Sequence, residues 1–161
     1  MVRSDSMKVT ALDWVVVGAG LLAYISSFFP WYRTRVSVLV IERSAVANAW
    51  NSGIGAWLPV LLLVVAGGVV LASTMGLRLP TSRPRIMLGL SVLAFITILL
   101  RWVTYPDATG GQGDLDGVEV DGLLAVATGA GSGLYLGLIA AAAAIIASLG
   151  AWRRAARSDY A

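Results

Sequence analysis

The sequence predicts an all-α membrane protein, a bundle of four transmembrane helices with a small extracytoplasmic β-element formed by its first and third loops. Its 161 residues are 58% hydrophobic and only 13% charged, whereas soluble domains carry about 25% charged residues. The charged residues fall between four long apolar runs. So few charges could not cover the surface of a water-soluble domain of this length. We therefore expect lipid to surround most of the chain.

The apolar runs predict helices at about 14–31, 57–76, 86–103 and 131–152. Each core reaches or approaches the roughly 20 residues that a helix needs to cross a 30 Å hydrocarbon layer. Outside loops are then expected at 32–56 and 104–130 and a cytoplasmic loop at 77–85, all within one membrane domain, 1–161. Tryptophan is typical of membrane interfaces. Five tryptophans near the ends of the runs are the predicted interfacial anchors: Trp14, Trp31, Trp57, Trp102 and Trp152.

The positive charges predict that both termini lie in the cytoplasm and that the protein resides in the cytoplasmic (inner) membrane. Eight of the twelve Lys and Arg residues fall in the predicted inner segments and four in the outer ones, in agreement with the positive-inside rule. The first apolar run lacks a small-x-small cleavage site, so we interpret it as an uncleaved anchor. The predicted cytoplasmic basic cluster consists of Arg78, Arg83, Arg85, Arg153, Arg154 and Arg157.

The two outside loops contain the predicted β-structure. The run TRVSVLVIER, 34–43, is β-branched and roughly alternating, which favours a strand. The segment VEVDGLLAV, 118–126, is a second, weaker candidate. Because an isolated hairpin is marginally stable in water, we expect these segments to pair into a small sheet resting on the helix ends.

The third loop is also acidic, which raises the question of a cation site. Its carboxylates surround several glycines, an arrangement that suits calcium. The spacing does not match an EF-hand, which needs a glutamate at its twelfth position, because Glu119 is only the sixth residue counted from Asp114. A solvated loop is the preferred interpretation, and no metal is predicted. The acids are Asp107, Asp114, Asp116, Glu119 and Asp121.

The stretch VVVGAGLLA, 15–23, resembles a dinucleotide-binding fingerprint, with Glu42 placed about where an acid would meet a ribose. Three observations argue against it. The helix that should follow would contain Pro30, which costs about 3 kcal/mol in a helix interior. That helix would carry no charged residue on its solvent side. The rest of the chain supplies membrane spans instead of alternating strands and helices. No cofactor is predicted, and Gly18 and Gly20 are expected to let helices approach closely.

Small residues spaced four apart predict a packing surface on the fourth helix. The row is Gly129, Gly133, Gly137 and Ala141. Small residues at this spacing let another backbone approach closely. Packing within the monomer is the preferred interpretation, and packing between subunits is the alternative.

Composition excludes several function classes and predicts a non-enzymatic protein. The chain has no cysteine and no histidine, which removes thiolate chemistry and the commonest general base and transition-metal ligand. No charged residue lies in the middle of an apolar run, which disfavours proton-coupled pumps and voltage sensors. Nucleic-acid binding is not predicted, because the membrane topology accounts for the basic residues. The polar residues within the runs are Ser26, Ser27, Ser73, Thr74, Ser91, Thr97 and Ser148.

The motifs DWVVVGAGLLAYISSFFPWY, AWNSGIGAWLPVLLLV, LRW and GAGSGLYLGLIAAAAA resemble those of small four-span membrane proteins of high-GC actinobacteria. That resemblance implies the four-span topology and no functional site. The layout is also similar to the claudin-type tetraspan plan, without the claudin cysteine pair. The leading hypothesis is assembly, either as a homo-oligomer or as an accessory subunit of a larger membrane complex. A small oligomeric pore or transport subunit lined by serine and threonine is the alternative.

Overall fold

The structure is a computed structural model, which describes residues 9–38, 41–77, 83–104 and 124–158. These residues form four helices, three strands and one 3₁₀ turn. In chain order they are α1 (Ala11–Ser26), β1 (Tyr32–Val38), β2 (Ile41–Ala47), the 3₁₀ turn (Trp50–Ser52), α2 (Ile54–Thr74), α3 (Arg83–Val103), β3 (Leu124–Ala130) and α4 (Ser132–Ser158).

The helices have the length and composition of membrane spans. Three segments are long and apolar enough to cross a bilayer: Ile54–Thr74, Arg83–Val103 and Ser132–Arg157. The remaining helix, α1, is also apolar but has only 16 residues. Large apolar side chains face outward on all four helices; Leu21, Val65, Leu93 and Ile146 are each more than half exposed. Such an exterior suits hydrocarbon better than water, and by length and composition three of the helices could cross a membrane.

The four helices form an antiparallel bundle in the ring order α1, α2, α3, α4. Glycines set the closest approach between α1 and α2. A Cβ on Gly20 would lie 2.7 Å from the Leu63 carbonyl oxygen, and one on Gly67 would lie 3.3 Å from the Val17 Cα. By contrast, Gly18 has nothing within 4 Å of an added Cβ. Of the two glycines in the Gly-Ala-Gly motif, Gly20 therefore makes the helix contact and Gly18 does not.

Each helix buries the residues of one face. These residues recur every three or four positions, because an α-helix has about 3.6 residues per turn. On α3 the buried residues recur every three or four positions, at Met87, Ser91, Ala94 and Ile98. Alanine fills much of the facing surface on α4, where Ala140, Ala141 and Ala144 are fully buried. Small side chains at these contacts let the helices pack closely in lipid.

The sheet is antiparallel with strand order β2-β1-β3, so β1 is central. Tyr32 pairs with Ala47 of β2 and with Ala130 of β3. The sheet lies at the end of the bundle where α1 and α3 finish and α2 and α4 begin. A sheet built from the first and third loops was predicted, and the structure confirms it.

The strand boundaries differ from those predicted. The run 34–43 was predicted as one strand, but Val38 pairs with Ile41, so the run is divided between two antiparallel strands, β1 and β2. The third strand spans Leu124–Ala130, later in the chain than the predicted 118–126; residues 118–123 lie outside the described residues.

The helix boundaries shift for reasons visible in the hydrogen bonds. The helix predicted at 14–31 ends at Ser26, because Pro30 has no amide hydrogen and disfavours helical geometry in the residue before it. Residues 27–29 continue as a turn, in which the Phe29 N–H donates to the Ser26 carbonyl (3.1 Å). α1 begins early, at Ala11, because Asp13 accepts a hydrogen bond from the Thr10 N–H (2.7 Å), as in a capping box. α2 spans Ile54–Thr74 instead of 57–76, α3 begins at Arg83 instead of 86, and α4 continues to Ser158 instead of 152.

Candidate functional site

Trp31 joins the sheet to the helix bundle. It was predicted as an interfacial anchor, but its side chain is fully buried, so that prediction is wrong for this residue. Its ring N–H donates to the Ser26 carbonyl (3.0 Å). Its backbone N–H donates to the Ala47 carbonyl (2.8 Å), and its own carbonyl accepts from the Gly131 N–H (2.7 Å). A single residue thus ties the end of α1 to β2 and to the entry of α4.

The glycine row of α4 receives the Trp31 ring. A Cβ on Gly133 would lie 2.5 Å from Trp31 Cδ1 and 2.7 Å from the Ser26 carbonyl oxygen. One on Gly137 would lie 3.4 Å from Trp31 Cζ2. Both glycines therefore face the Trp31 indole, and Gly133 also lies close to the backbone of α1 at Ser26. Ala141 beyond them is fully buried.

Gly129 does not belong to this row. It was predicted to continue the packing surface of the fourth helix, but it lies in β3, where it pairs with Arg33. The helix begins only at Ser132, so the four-residue spacing from Gly129 to Gly133 crosses a strand–helix junction and places the two on different elements.

A buried ion pair lies at the opposite end of the bundle. Arg83, the first residue of α3, forms a salt bridge with Asp13 of α1 and donates to the Ser73 hydroxyl of α2 (2.9 Å). Both charged side chains are at least nine-tenths buried. Arg83 was predicted as part of a cytoplasmic basic cluster, but its charge is used to hold three helices together. Sequence reasoning missed this pair, although the Thr10-x-x-Asp13 spacing of a capping box was a usable signal.

The remaining members of the predicted basic cluster differ from Arg83. Arg85, Arg153, Arg154 and Arg157 are all exposed at this end of the bundle, and Arg78 lies outside the described residues. Among the described residues the only carboxylate at this end is that of Asp13, which Arg83 engages. The four exposed arginines therefore form a surface with a net positive charge.

Arg101, at the sheet end of α3, has partners that the sequence did not indicate. Its guanidinium donates to the Ser52 carbonyl (2.7 Å) and lies 5.6 Å from the centroid of the Tyr32 ring, within the range of a cation–π interaction. Arg101 thereby connects α3 to the 3₁₀ turn that precedes α2 and to β1.

Most of the tryptophans lie near the two ends of the bundle. At the sheet end, the rings of Trp50 and Trp57 stack 6.5 Å apart, and Trp102 packs edge-on against Tyr135. At the other end, Trp14 and Trp152 are 57% and 40% exposed. Aromatic residues therefore mark both ends of the bundle, a distribution typical of proteins that span a bilayer.

Most of the helix hydroxyl groups donate a hydrogen bond to a backbone carbonyl of their own helix. Ser26, Ser73 and Ser91 each donate to a carbonyl three or four residues earlier in the same helix, at 2.6–2.8 Å. These bonds give each hydroxyl group a hydrogen-bond acceptor, which hydrocarbon cannot supply. Ser26 and Ser91 are also fully buried within the monomer, where they cannot line a pore between subunits.

The structure offers little support for a cofactor or metal centre in its described part. Residues 15–23, which resemble a dinucleotide fingerprint, lie within α1 and lack the strand–turn–helix context that the motif needs. No group of three potential metal ligands lies together among the described residues. The acidic loop residues Asp107, Asp114, Asp116, Glu119 and Asp121 lie outside them.

Neither a model of a known protein family nor a curated protein matches the sequence. Any function must therefore be inferred from the geometry itself.

The feature best suited to contact another molecule is the sheet. β2 and β3 each pair only with β1 among the described strands, so within that part of the chain each has an outer edge without a ladder partner. On β2, the Val46 side chain is 65% exposed. Open strand edges accept an additional strand readily. We therefore take the β2 edge, held in position by Trp31 and Arg101, as the candidate interaction site.

Proposed function

We propose that the chain is a four-span inner-membrane protein that acts in assembly, without enzymatic activity, as an accessory subunit of a larger membrane complex or as a homo-oligomer. The observation that carries the proposal is that no described strand covers the outer edge of β2, in a sheet that is hydrogen-bonded to the bundle through Trp31. Each part of the proposal has its own support.

The packing of α1 supports four spans. α1 lies between α2 and α4 over its whole length: Leu12 packs near Gly150, Gly20 against Leu63, and the end of the helix near Gly133. Its 16 residues span about 24 Å, and the turn that follows extends it. Because α1 is embedded in the same bundle as its neighbours, α1 crosses the bilayer if α2 and α4 do.

The distribution of exposed charges supports cytoplasmic termini. α1 begins and α4 ends at the same end of the bundle as the exposed arginines Arg85, Arg153, Arg154 and Arg157. Arginine is enriched on the cytoplasmic side of membrane proteins. In this orientation the sheet lies outside the cytoplasm.

The sheet supports a role in assembly. A strand edge binds through main-chain hydrogen bonds, so its use as a docking surface needs no particular side-chain chemistry. The bonds made by Trp31 and Arg101 hold the sheet in one orientation relative to the helices. A rigidly held edge loses little conformational entropy when a partner binds.

Site-specific photocrosslinking in native membranes tests this proposal. A photoreactive amino acid at Val46 should give a discrete adduct, whereas the same group at Ile146, which is 71% exposed on the lipid-facing side of α4, should give none. An adduct of twice the 16.8 kDa monomer mass supports the homo-oligomer, and a heavier one supports the accessory subunit. The absence of an adduct at Val46, or equal adducts at both positions, would refute the proposal.

A further inference from the structure

An apolar groove runs along the outer surface of α3 beside the end of α4. Its volume is about 700 Å³, within the range of small-molecule sites in proteins. Its walls and ends are formed by Arg85, Leu88, Gly89, Val92, Leu93, Ile96 and Trp152. All but Arg85 are uncharged, so the groove is a hydrocarbon surface with one cationic end.

The groove has the length of a single membrane leaflet. Arg85 and Ile96 are eleven positions apart on α3, which corresponds to about 17 Å along the helix axis. Half of a 30 Å hydrocarbon core is about 15 Å. Trp152 lies at the same end as Arg85, since α3 begins where α4 ends, and an indole at this depth is typical of the headgroup boundary.

Gly89 creates the free space in the groove. A Cβ added there would have no heavy atom within 4 Å, although the residues around it on this face are leucine and valine. A larger side chain at this position would therefore occupy the groove without displacing any described part of the protein.

No described residue neutralises the charge at the end of the groove. Arg85 is exposed and makes no salt bridge with any described residue. The neighbouring end of α4 adds Arg153, Arg154 and Arg157. A guanidinium binds a phosphate through two parallel hydrogen bonds, and additional arginines raise the local potential for anions.

We propose that this groove is a binding site for one anionic phospholipid, with its phosphate on Arg85 and an acyl chain along Leu88 to Ile96. The inference rests on the membrane placement proposed above, but not on the role in assembly. It explains why an apolar surface groove of leaflet length ends at an arginine that no described residue neutralises.

Native mass spectrometry of the detergent-solubilised full chain tests the site. The protein is incubated with equal amounts of phosphatidylglycerol and phosphatidylcholine, and the retained lipid is counted. We expect at least threefold more phosphatidylglycerol than phosphatidylcholine to be retained. Arg85→Gln should bring the ratio close to one, whereas Arg33→Gln, which removes the same charge at the sheet end, should leave it unchanged.

A second pair of variants tests the groove itself. Gly89→Leu should reduce retention of both lipids at least threefold. Gly68→Leu is the matched control, since Gly68 on α2 is also exposed and has nothing within 4 Å of an added Cβ; it should retain lipid as the unaltered chain does. Both proteins should give unchanged helical circular dichroism.

The results that would overturn the proposal are distinct from those that test membrane placement. Equal retention of the two lipids by the unaltered chain, or full selectivity in Arg85→Gln, refutes the anionic site. Complete displacement of phosphatidylglycerol by inorganic phosphate shows that the acyl chain contributes nothing and also refutes it. Release of the chain from membranes by alkaline carbonate would instead refute the membrane placement.

Discussion

Replacement of Trp31 by alanine should destabilise the protein more than replacement of any exposed tryptophan. The ring is fully buried against Gly133 and Gly137, and truncation of a buried tryptophan typically costs about 3–5 kcal/mol. The Ser26 carbonyl also loses its donor, although it can still accept the bond from the Phe29 N–H. A loss of about 3 kcal/mol lowers the folded-to-unfolded ratio more than a hundredfold.

The assay is unfolding by sodium dodecyl sulfate in mixed micelles, followed by far-ultraviolet circular dichroism. Trp14→Ala removes the same atoms from a position that is 57% exposed on α1 and should cost less than about 1 kcal/mol. Trp31→Phe keeps a ring but lacks the N–H, so its cost should fall between those of the two alanine variants. If Trp31→Ala and Trp14→Ala differ by less than about 1 kcal/mol, Trp31 does not join the sheet to the bundle as described.

Three further predictions use the same unfolding measurement. Gly133→Ala should lower the free energy of unfolding by about 1–3 kcal/mol, because its methyl group would overlap the Trp31 ring and the Ser26 carbonyl. Gly18→Ala, whose methyl group would enter open space, should be neutral or slightly stabilising. Equal costs for the two variants would contradict the packing. Asp13→Asn should lower the free energy of unfolding by about 3–5 kcal/mol by leaving Arg83 buried without its partner. Adding Arg83→Gln to this variant should recover part of the loss. A double variant whose cost equals the sum of the two single costs would argue against a pair. Arg101→Gln should cost about 1–3 kcal/mol and make residues 32–47 more sensitive to protease; unchanged proteolysis would show that Arg101 does not hold the sheet.

The helices were predictable because hydrocarbon selects for a simple property, the absence of charge over about 20 residues. The same criterion misplaced several helix ends. It stopped α3 short of Arg83 and α1 short of Asp13, since it treats every charge as a boundary. Two opposite charges that neutralise each other can lie inside the first turns of two helices that are diagonally opposite in the bundle, and only the three-dimensional structure brings them together.

The sheet was predictable in outline from β-branched residues, but the division of the run 34–43 between two strands was not. Gly, Pro, Asn and Asp are strong turn signals, and the run contains none of them. The direction in which a side chain points could not be predicted from the sequence either. Trp31 and Trp102 each lie within two residues of an arginine, but Trp31 points into the bundle and Trp102 is exposed. Whether an indole faces lipid or protein depends on the space that small residues leave on a helix far away in sequence, here Gly133 and Gly137 of α4.

The central position of β1 has a consequence for biogenesis. β1 and β2 come early in the chain, but the strand that covers the other side of β1 directly precedes α4. During synthesis, β1 therefore waits for β3, and the Trp31 indole waits for the glycines of α4 that receive it. A chain that stops before β3 keeps one flank of β1 without the partner strand that the full chain supplies, and such a strand edge is prone to pair with other chains.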